Sequence, residues 1–477
     1  MSDIQFVCLS DMHFGAETSL LTNLKTASSE INPLKPSPVL EKLVDCLSGL
    51  ISGNQSQAEK PTLILNGDIL EIALARTNEA AMAFERFIEL IAPKDREPLF
   101  DRIIYNPGNH DHHLWEMARE TQYVENVLKN TAWGSPLPVP WHATNIFKEP
   151  VPSFFLTRLI QRYQPLQETN IQTAYPNFGL LNRNKSKCII FHHGHFIEPI
   201  YMLMSIIKTM FFPDTRIPAD IWDLEAENFA WIDFFWSTLG RSEGVGQKVN
   251  NIYEFLQDKK VVKRLLSNFS KSLAEKYDLP GWGDRMEAAL LDRVFSYAVD
   301  RISGLEKNVG EDVLSDEARE GFWTYMEGPL RSQVIGECNQ TMPMNLAFVF
   351  GHTHKPFEKD MNFTGYPEWV DVYNTGGWVV DKDKLQPLHG GSIVLIDENL
   401  EAASVRMYNE QAAEQDYQVV VKEARHPGDQ PGEFFLQIEN RVAANKTLFQ
   451  DFSNAAARAV NVRKENLRAR IYGRGTD

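Results

Sequence analysis

Five short apolar runs in this 477-residue chain each stop on side chains that can hold a cation. IQFVCLS leads to Asp11 and His13, and TLILN leads to Gly67 and Asp68. DRIIYNPG leads to Asn109, His110 and Asp111, KCIIFH to His193, Gly194 and His195, and NLAFVFG to His352 and His354. Short runs that are partly β-branched or aromatic and end at Gly, Asp, Asn or His predict buried strands. Helical stretches lie between them. SPVLEKLVDCLSGLIS opens with Ser37 as N-cap and Pro38 at the first helical position, and its Leu40, Leu43, Val44, Leu47 and Leu50 fall on one face. EAAMAFERFIELIA places Phe84, Phe87, Ile88 and Ile91 in the same way. Strands alternating with helices predict an α/β core, where ligands gather beyond the carboxyl ends of the strands.

A single Asp or His at a strand end is commonly a turn or a cap. Five strand ends carrying hard or borderline N/O donors, with no thiolate among them, point instead to a metal site. His352 and His354 stand two residues apart. On extended backbone such a pair points to one side, so both imidazoles are expected to face one spot.

Composition narrows the alternatives. A formal charge of −16 argues against non-specific binding to nucleic acid. The cysteines Cys8, Cys46, Cys188 and Cys338 form no C-x-x-C pair, so a disulfide framework is not implied and a reducing compartment is expected. The N-terminus, MSDIQFVCLSDMHFG, lacks the pattern of an export signal, and no long uncharged apolar stretch predicts a spanning helix. A cytoplasmic location is the expectation. The stretch FIEPIYMLMSIIKTMFF (Phe196 to Phe212), read as a helix, is apolar nearly all round and leaves peripheral membrane contact open.

The motifs D-x-H, G-D, G-N-H-D, H-G-H and G-H-T-H, in this order, resemble those of the calcineurin-like metallophosphoesterases, over roughly residues 4–193 and 345–380. The resemblance implies an α/β fold with a two-sheet β core flanked by helices in four αββα layers, and a dinuclear centre of divalent transition metal ions. Carried over residue by residue, Asp11, His13, Asp68 and His354 would hold one ion. Asp68, Asn109, His193 and His352 would hold the other, with Asp68 bridging. His110 would stand near the leaving group as general acid or electrostatic stabiliser. Asp111 would orient His110 or cap the helix that follows, and the cap is the preferred reading. The donor set suits Mn, Fe, Zn, Co or Ni, and manganese is among the expected ions. Two such ions clamp the attacking and leaving oxygens, so the implied reaction is in-line attack on a phosphoester by a metal-bridging hydroxide.

His195 is expected to steady His193 or to touch substrate, and His192 to be a core histidine facing away from the site. His112, His113, His142, His389 and His426 match no motif and are read as structural or solvated. The boundaries that follow are a core at 1–195 and 345–410, a mostly helical insertion at 196–344 and a partly helical tail at 411–477. Leaving and rejoining beside the metal motifs, the insertion is expected to cap the site and select the substrate, with a hydrophobic ester favoured by its apolar composition. A basic run over residues 259–276 reads as a solvated helix face. One alternative is a lipid-type pyrophosphate or phosphodiester hydrolase related to the UDP-2,3-diacylglucosamine hydrolases, whose third motif carries Arg where this chain has His110. Another is a non-catalytic scaffold, which should lack several ligands, whereas here none is missing.

Overall fold

All five apolar runs are strands in the computed structural model, which describes residues 2–26, 28–56, 59–212, 214–233 and 312–472. The basic run at 259–276 lies outside the described residues. In chain order the strands are β1 (Ile4–Leu9), β2 (Thr22–Leu24), β3 (Ile31–Pro36), β4 (Thr62–Asn66), β5 (Arg102–Asn106), β6 (Val151–Pro152), β7 (Ile171–Thr173) and β8 (Asn177–Leu181). They continue with β9 (Lys187–His192), β10 (Asn345–Phe350), β11 (Phe357–Met361), β12 (Val370–Asn374), β13 (Gly390–Asp397), β14 (Ala402–Asn409) and β15 (Val420–Lys422). An eight-stranded mixed sheet has the order β15-β14-β13-β1-β4-β5-β7-β6, and a five-stranded mixed sheet has the order β11-β12-β10-β9-β8.

The period of two along these strands builds the layers. Val7, Leu9, Leu63, Leu65, Ile103 and Tyr105 point to one face of the larger sheet. There they share a core with helices α1 (Pro38–Ile51) and α2 (Thr77–Ile91) and with the C-terminal helix Lys446–Tyr472. Their alternates Cys8, Ile64 and Ile104 meet Ile189, Phe191, Ala347 and Val349 of the smaller sheet. On that sheet's other face, Ile190, Phe348 and Phe350 pack on Phe196, Ile200, Leu224, Phe322 and Leu330. The fold is therefore α/β with four layers, two of them sheets.

Local signals hold where they were strongest. Ser37 Oγ accepts from the Leu40 amide at 3.0 Å, ahead of Pro38. The Phe196–Phe212 stretch is not one helix. Pro199 lacks an amide and sits at the start of its own short 3-10 turn, so the α-helix here, Leu203–Phe211, begins only after it. Helix Ile221–Ile232 then follows. The described part of 196–344 shares its apolar core with the smaller sheet. Among the described residues no helix is long and apolar enough to cross a membrane. The Arg-rich C-terminal helix docks inward, with Arg463 donating to the carbonyls of Ser19 and Thr22.

A half-buried like-charge pair gives one stability prediction. Asp371 of β12 stands opposite Asp360 of β11. Burial and then the Asp360 charge push the Asp371 carboxyl up to about 7, against the pull of Lys187. Because its folded value is raised, the contribution to stability is complete below about pH 4 and is lost as pH rises toward 7. Asp371→Asn should raise Tm by about 2 °C at pH 8 and give no gain at pH 4. Thermal melts of both proteins across that range check the sign.

Candidate metal centre

The ends of β1, β4 and β10 turn sharply where the two sheets meet. Asp11, His13, Asp68, His352 and His354 have φ of 49°, 45°, 52°, 68° and 58°. They are five of the nine non-glycine residues with left-handed backbone among those described. Such conformations cost about 1–3 kcal/mol each and persist only where the surroundings enforce them. Here the enforcement is a set of hydrogen bonds between the loops. The amides of Asp11 and His13 donate to the carbonyls of Gly67 and Asp68 at 2.9 Å, and the Gly351 amide donates to the His193 carbonyl at 2.8 Å. The His352 amide donates to Asp11 Oδ1 at 3.0 Å. The histidine pair therefore does not lie on extended backbone as expected. Both residues follow β10 in left-handed turns, and their rings go to different groups of donors.

Those groups are compact. The donor atoms of Asp11, His13 and His354 lie within 4.8 Å of one another, as do those of Asp68, His193 and His352. His354 Nε2 is 3.5 Å from Asp11 Oδ1, and His13 Nε2 is 3.7 Å from Asp68 Oδ2. His193 Nε2 is 3.3 Å from Asp68 Oδ2, 3.0 Å from Asn109 Oδ1 and 3.2 Å from His352 Nδ1. All seven carried-over ligand residues are thus buried in one place. His13 Nε2, His354 Nε2 and Asp68 Oδ2 are buried and make no hydrogen bond. A buried polar atom left this way costs free energy, and a bound cation would remove that cost. The donor set therefore fits divalent metal ions.

Electrostatics agree with a site built for cations. Burial disfavours the Asp68 charge, but His193 and His110 outweigh it and hold the carboxyl well below its usual range. Burial lowers His193, yet Asp68 and Asp11 raise it to about 9, which marks the strong negative field at that ring. Metal ions would take over the role of those protons.

The outer partners are mostly residues that sequence reading missed. Glu71 is buried between His13 and His110, with Oε2 2.8 Å from His13 Nδ1 and Oε1 2.9 Å from His110 Nδ1. Asp381 Oδ2 lies 2.7 Å from His354 Nδ1 and 3.2 Å from His389 Nδ1, so His389 is buried beside the centre. Glu198 Oε1 lies 3.3 Å from His352 Nε2. A glutamate inside the apolar stretch ILEIALA was a legible signal for Glu71, whereas nothing local marks Asp381.

Asp111 departs from the expected cap. It occupies the N-cap position of α3 (His112–Gln122), but its side chain makes no capping bond. The carboxylate accepts instead from the amides of Gly108 and Ile69 at 2.7 Å, from Leu70 at 3.2 Å, from Asp68 at 3.3 Å, and from the Tyr105 hydroxyl. Burial and the nearby Asp68 push it up to about 6. His192 is a core residue whose Nδ1 accepts from the Gly194 amide at 2.7 Å, and burial holds its ring well below the usual range. His195 is buried beside His193, with Nε2 3.2 Å from the Tyr175 hydroxyl.

The sequence matches the description "Calcineurin-like phosphoesterase" over residues 4–261, more than half of its 477 residues. The chain belongs to the calcineurin-like phosphoesterase family, and it is a phosphoesterase. No curated protein matches the sequence. Among solved structures, phosphopantetheinyl hydrolase (PptH) from Mycobacterium tuberculosis aligns with 79% of this chain and 90% of its own at 14% identity, with a TM-score of 0.24. A likeness that slight says nothing about the substrate of this chain.

Close approach makes certain glycines testable. A Cβ on Gly351 would stand 2.0 Å from Asp11 Oδ2, whereas one on Gly336 would meet nothing within 4 Å. Gly351→Ala should cost about 1–3 kcal/mol of stability and displace Asp11. Gly336→Ala, on helix Arg331–Glu337, should be neutral or stabilising by up to about 1 kcal/mol. Chemical denaturation together with metal content distinguishes them.

Proposed function

We propose that the chain hydrolyses a phosphoester at a two-ion centre. Asp11, His13, Asp68 and His354 would hold one ion, and Asp68, Asn109, His193 and His352 the other. The observation that carries this reading is the pair of buried donor groups, with Asp68 beside both His13 and His193. Divalent cations bound there would neutralise phosphate oxygens and lower the pKa of a water to near neutrality. The imidazole, carboxylate and amide donors suit Mn, Fe, Zn, Co or Ni.

The chain's own contribution is orientation and proton handling. Glu71 fixes the His110 ring through Nδ1, so Nε2 is the nitrogen that would meet the leaving oxygen and deliver a proton to it. The same carboxylate steadies His13, tying the proton donor to a metal ligand. Asp111 acts through the backbone, by holding the Asp68 turn in place. In this reading the segment 196–344 caps the site and selects the substrate. Its first residues bring Glu198 and the Tyr201 ring against His352, the ring at 5.3 Å. Exposed Met204, Phe212, Ile217 and Trp222 on that segment favour an ester with a hydrophobic body.

Turnover of a generic aryl phosphate or aryl phosphodiester should vanish on chelation and return with added divalent ions. Hydrolysis indifferent to chelation would sink the two-ion reading. His110→Ala should lower kcat by about 10²–10⁴ while keeping its metal. Full turnover in a metal-replete variant would remove His110 from proton transfer and leave the centre intact.

A further inference from the structure

A second cluster of donors, sharing no residue with the centre, lies where α3 meets helix Ile221–Ile232. The two helices are packed by a small core of Trp115, Ala118, Tyr175 and Phe229. The Phe229 ring lies 4.7 Å from that of His112, and the Arg119 guanidinium stands 4.4 Å over it. Beside this core, His113 and Glu116 share one face of α3, as residues three apart do, and Asp233 closes the far end of helix Ile221–Ile232. His113 Nδ1 is 3.2 Å from Glu116 Oε2 and 3.4 Å from Asp233 Oδ1. The three donor atoms lie within 4.8 Å of one another. The buried His112 adds Nδ1 at 3.5 Å from the same Asp233 oxygen.

These spacings are informative. Histidine–carboxylate hydrogen bonds here are 2.7–2.9 Å long in His13–Glu71, His110–Glu71, His354–Asp381 and His426–Asp360, and 3.5 Å long in His112–Asp233. Between the proposed ligands of the centre, the imidazole–carboxylate spacings are 3.3–3.7 Å. Two donors bound to one ion at about 2.0–2.1 Å in a tetrahedron stand roughly 3.3–3.4 Å apart. The His113 cluster, at 3.2 and 3.4 Å, has the spacing of ligands around an ion. The His13–Glu71–His110 group, at 2.8 and 2.9 Å, has that of a hydrogen-bonded triad. His352–Glu198 and His389–Asp381 are also long, at 3.3 and 3.2 Å, but among the described residues no third donor completes a group with either pair.

The geometry points to a separate divalent-metal site formed by His113, Glu116 and Asp233, which fastens helix Ile221–Ile232 to α3. One imidazole and two carboxylates from rigid helices suit a borderline ion such as zinc, and the bound dication would offset the repulsion between the two acids. The side chains are 21%, 24% and 13% exposed, so an ion can enter from solvent. The consequence is mechanical. The segment that follows His195 would be bolted to the helix that follows His110, independently of any ion in the centre.

Crystals of the full chain grown with zinc should show an anomalous-scattering peak between His113, Glu116 and Asp233. The double variant Glu116→Gln, Asp233→Asn should contain one zinc per chain fewer than the wild type by elemental mass spectrometry, with an unchanged far-UV circular dichroism spectrum. Absence of the peak, or equal zinc content in the two folded proteins, overturns the assignment. If the double variant fails to fold, the wild-type anomalous map decides the question alone.

Discussion

One buried carboxylate, Asp111, determines where Asp68 can be. Asp68 takes a left-handed turn just after Gly67, and that turn directs several amides into the interior, away from water. Buried amides need acceptors, and Asp111 serves those of Asp68, Ile69, Leu70 and Gly108 together. The arrangement sets two acids close together, which is why Asp111 rests near 6 while Asp68 is held low by His193 and His110. Gly108 has no room for a side chain because a Cβ there would stand 2.3 Å from Asp68 Oδ1. Backbone, acid and glycine thus specify one position for the residue on which both proposed ions depend.

The same economy joins the two sheets. Asn66, at the end of β4, donates to the His192 carbonyl at 3.0 Å and accepts from Asn106 at 2.9 Å. The larger sheet is thereby tied to the smaller one at the level of the ligand loops, above the apolar contacts of Ile64, Ile104, Ile189 and Phe191. A crevice formed this way draws its walls from two rigid sheets, so donors from residues 11 to 354 are held in register without a flexible loop carrying them.

Much of this was legible because strand ends advertise themselves. The near-continuous apolar runs IQFVCL and KCIIFH marked strands buried on both faces, and the polar residues after them marked the site. Ser37 and Pro38 marked a helix start for local reasons that tertiary packing left alone. What sequence could not supply was backbone handedness. His352 and His354 looked like neighbours on a strand, and only the family resemblance assigned them to different ions; left-handed turns are what send them to different donor groups. Asp111 looked like a cap because it precedes a helix, and only the three-dimensional path of the Asp68 turn reveals a stronger use for its oxygens. Glu71 stood out as an acid in an apolar stretch, but its partner His110 lies 39 residues away in sequence, and Asp381, 27 residues from His354, carries no local mark at all.

Strand β1 carries a consequence for biosynthesis. It lies between β4, which pairs with it in parallel, and β13, which pairs in antiparallel register from Ile4↔Asp397 to Cys8↔Val394. A ribosome adding roughly 5–20 residues per second takes on the order of 20–80 s between making the first strand and making its second neighbour. Throughout that interval the nascent chain presents an open, apolar hydrogen-bonding edge, the kind that chaperones shield and that other chains can capture. The price of a site assembled from both ends of the polypeptide is thus a long exposure before it closes.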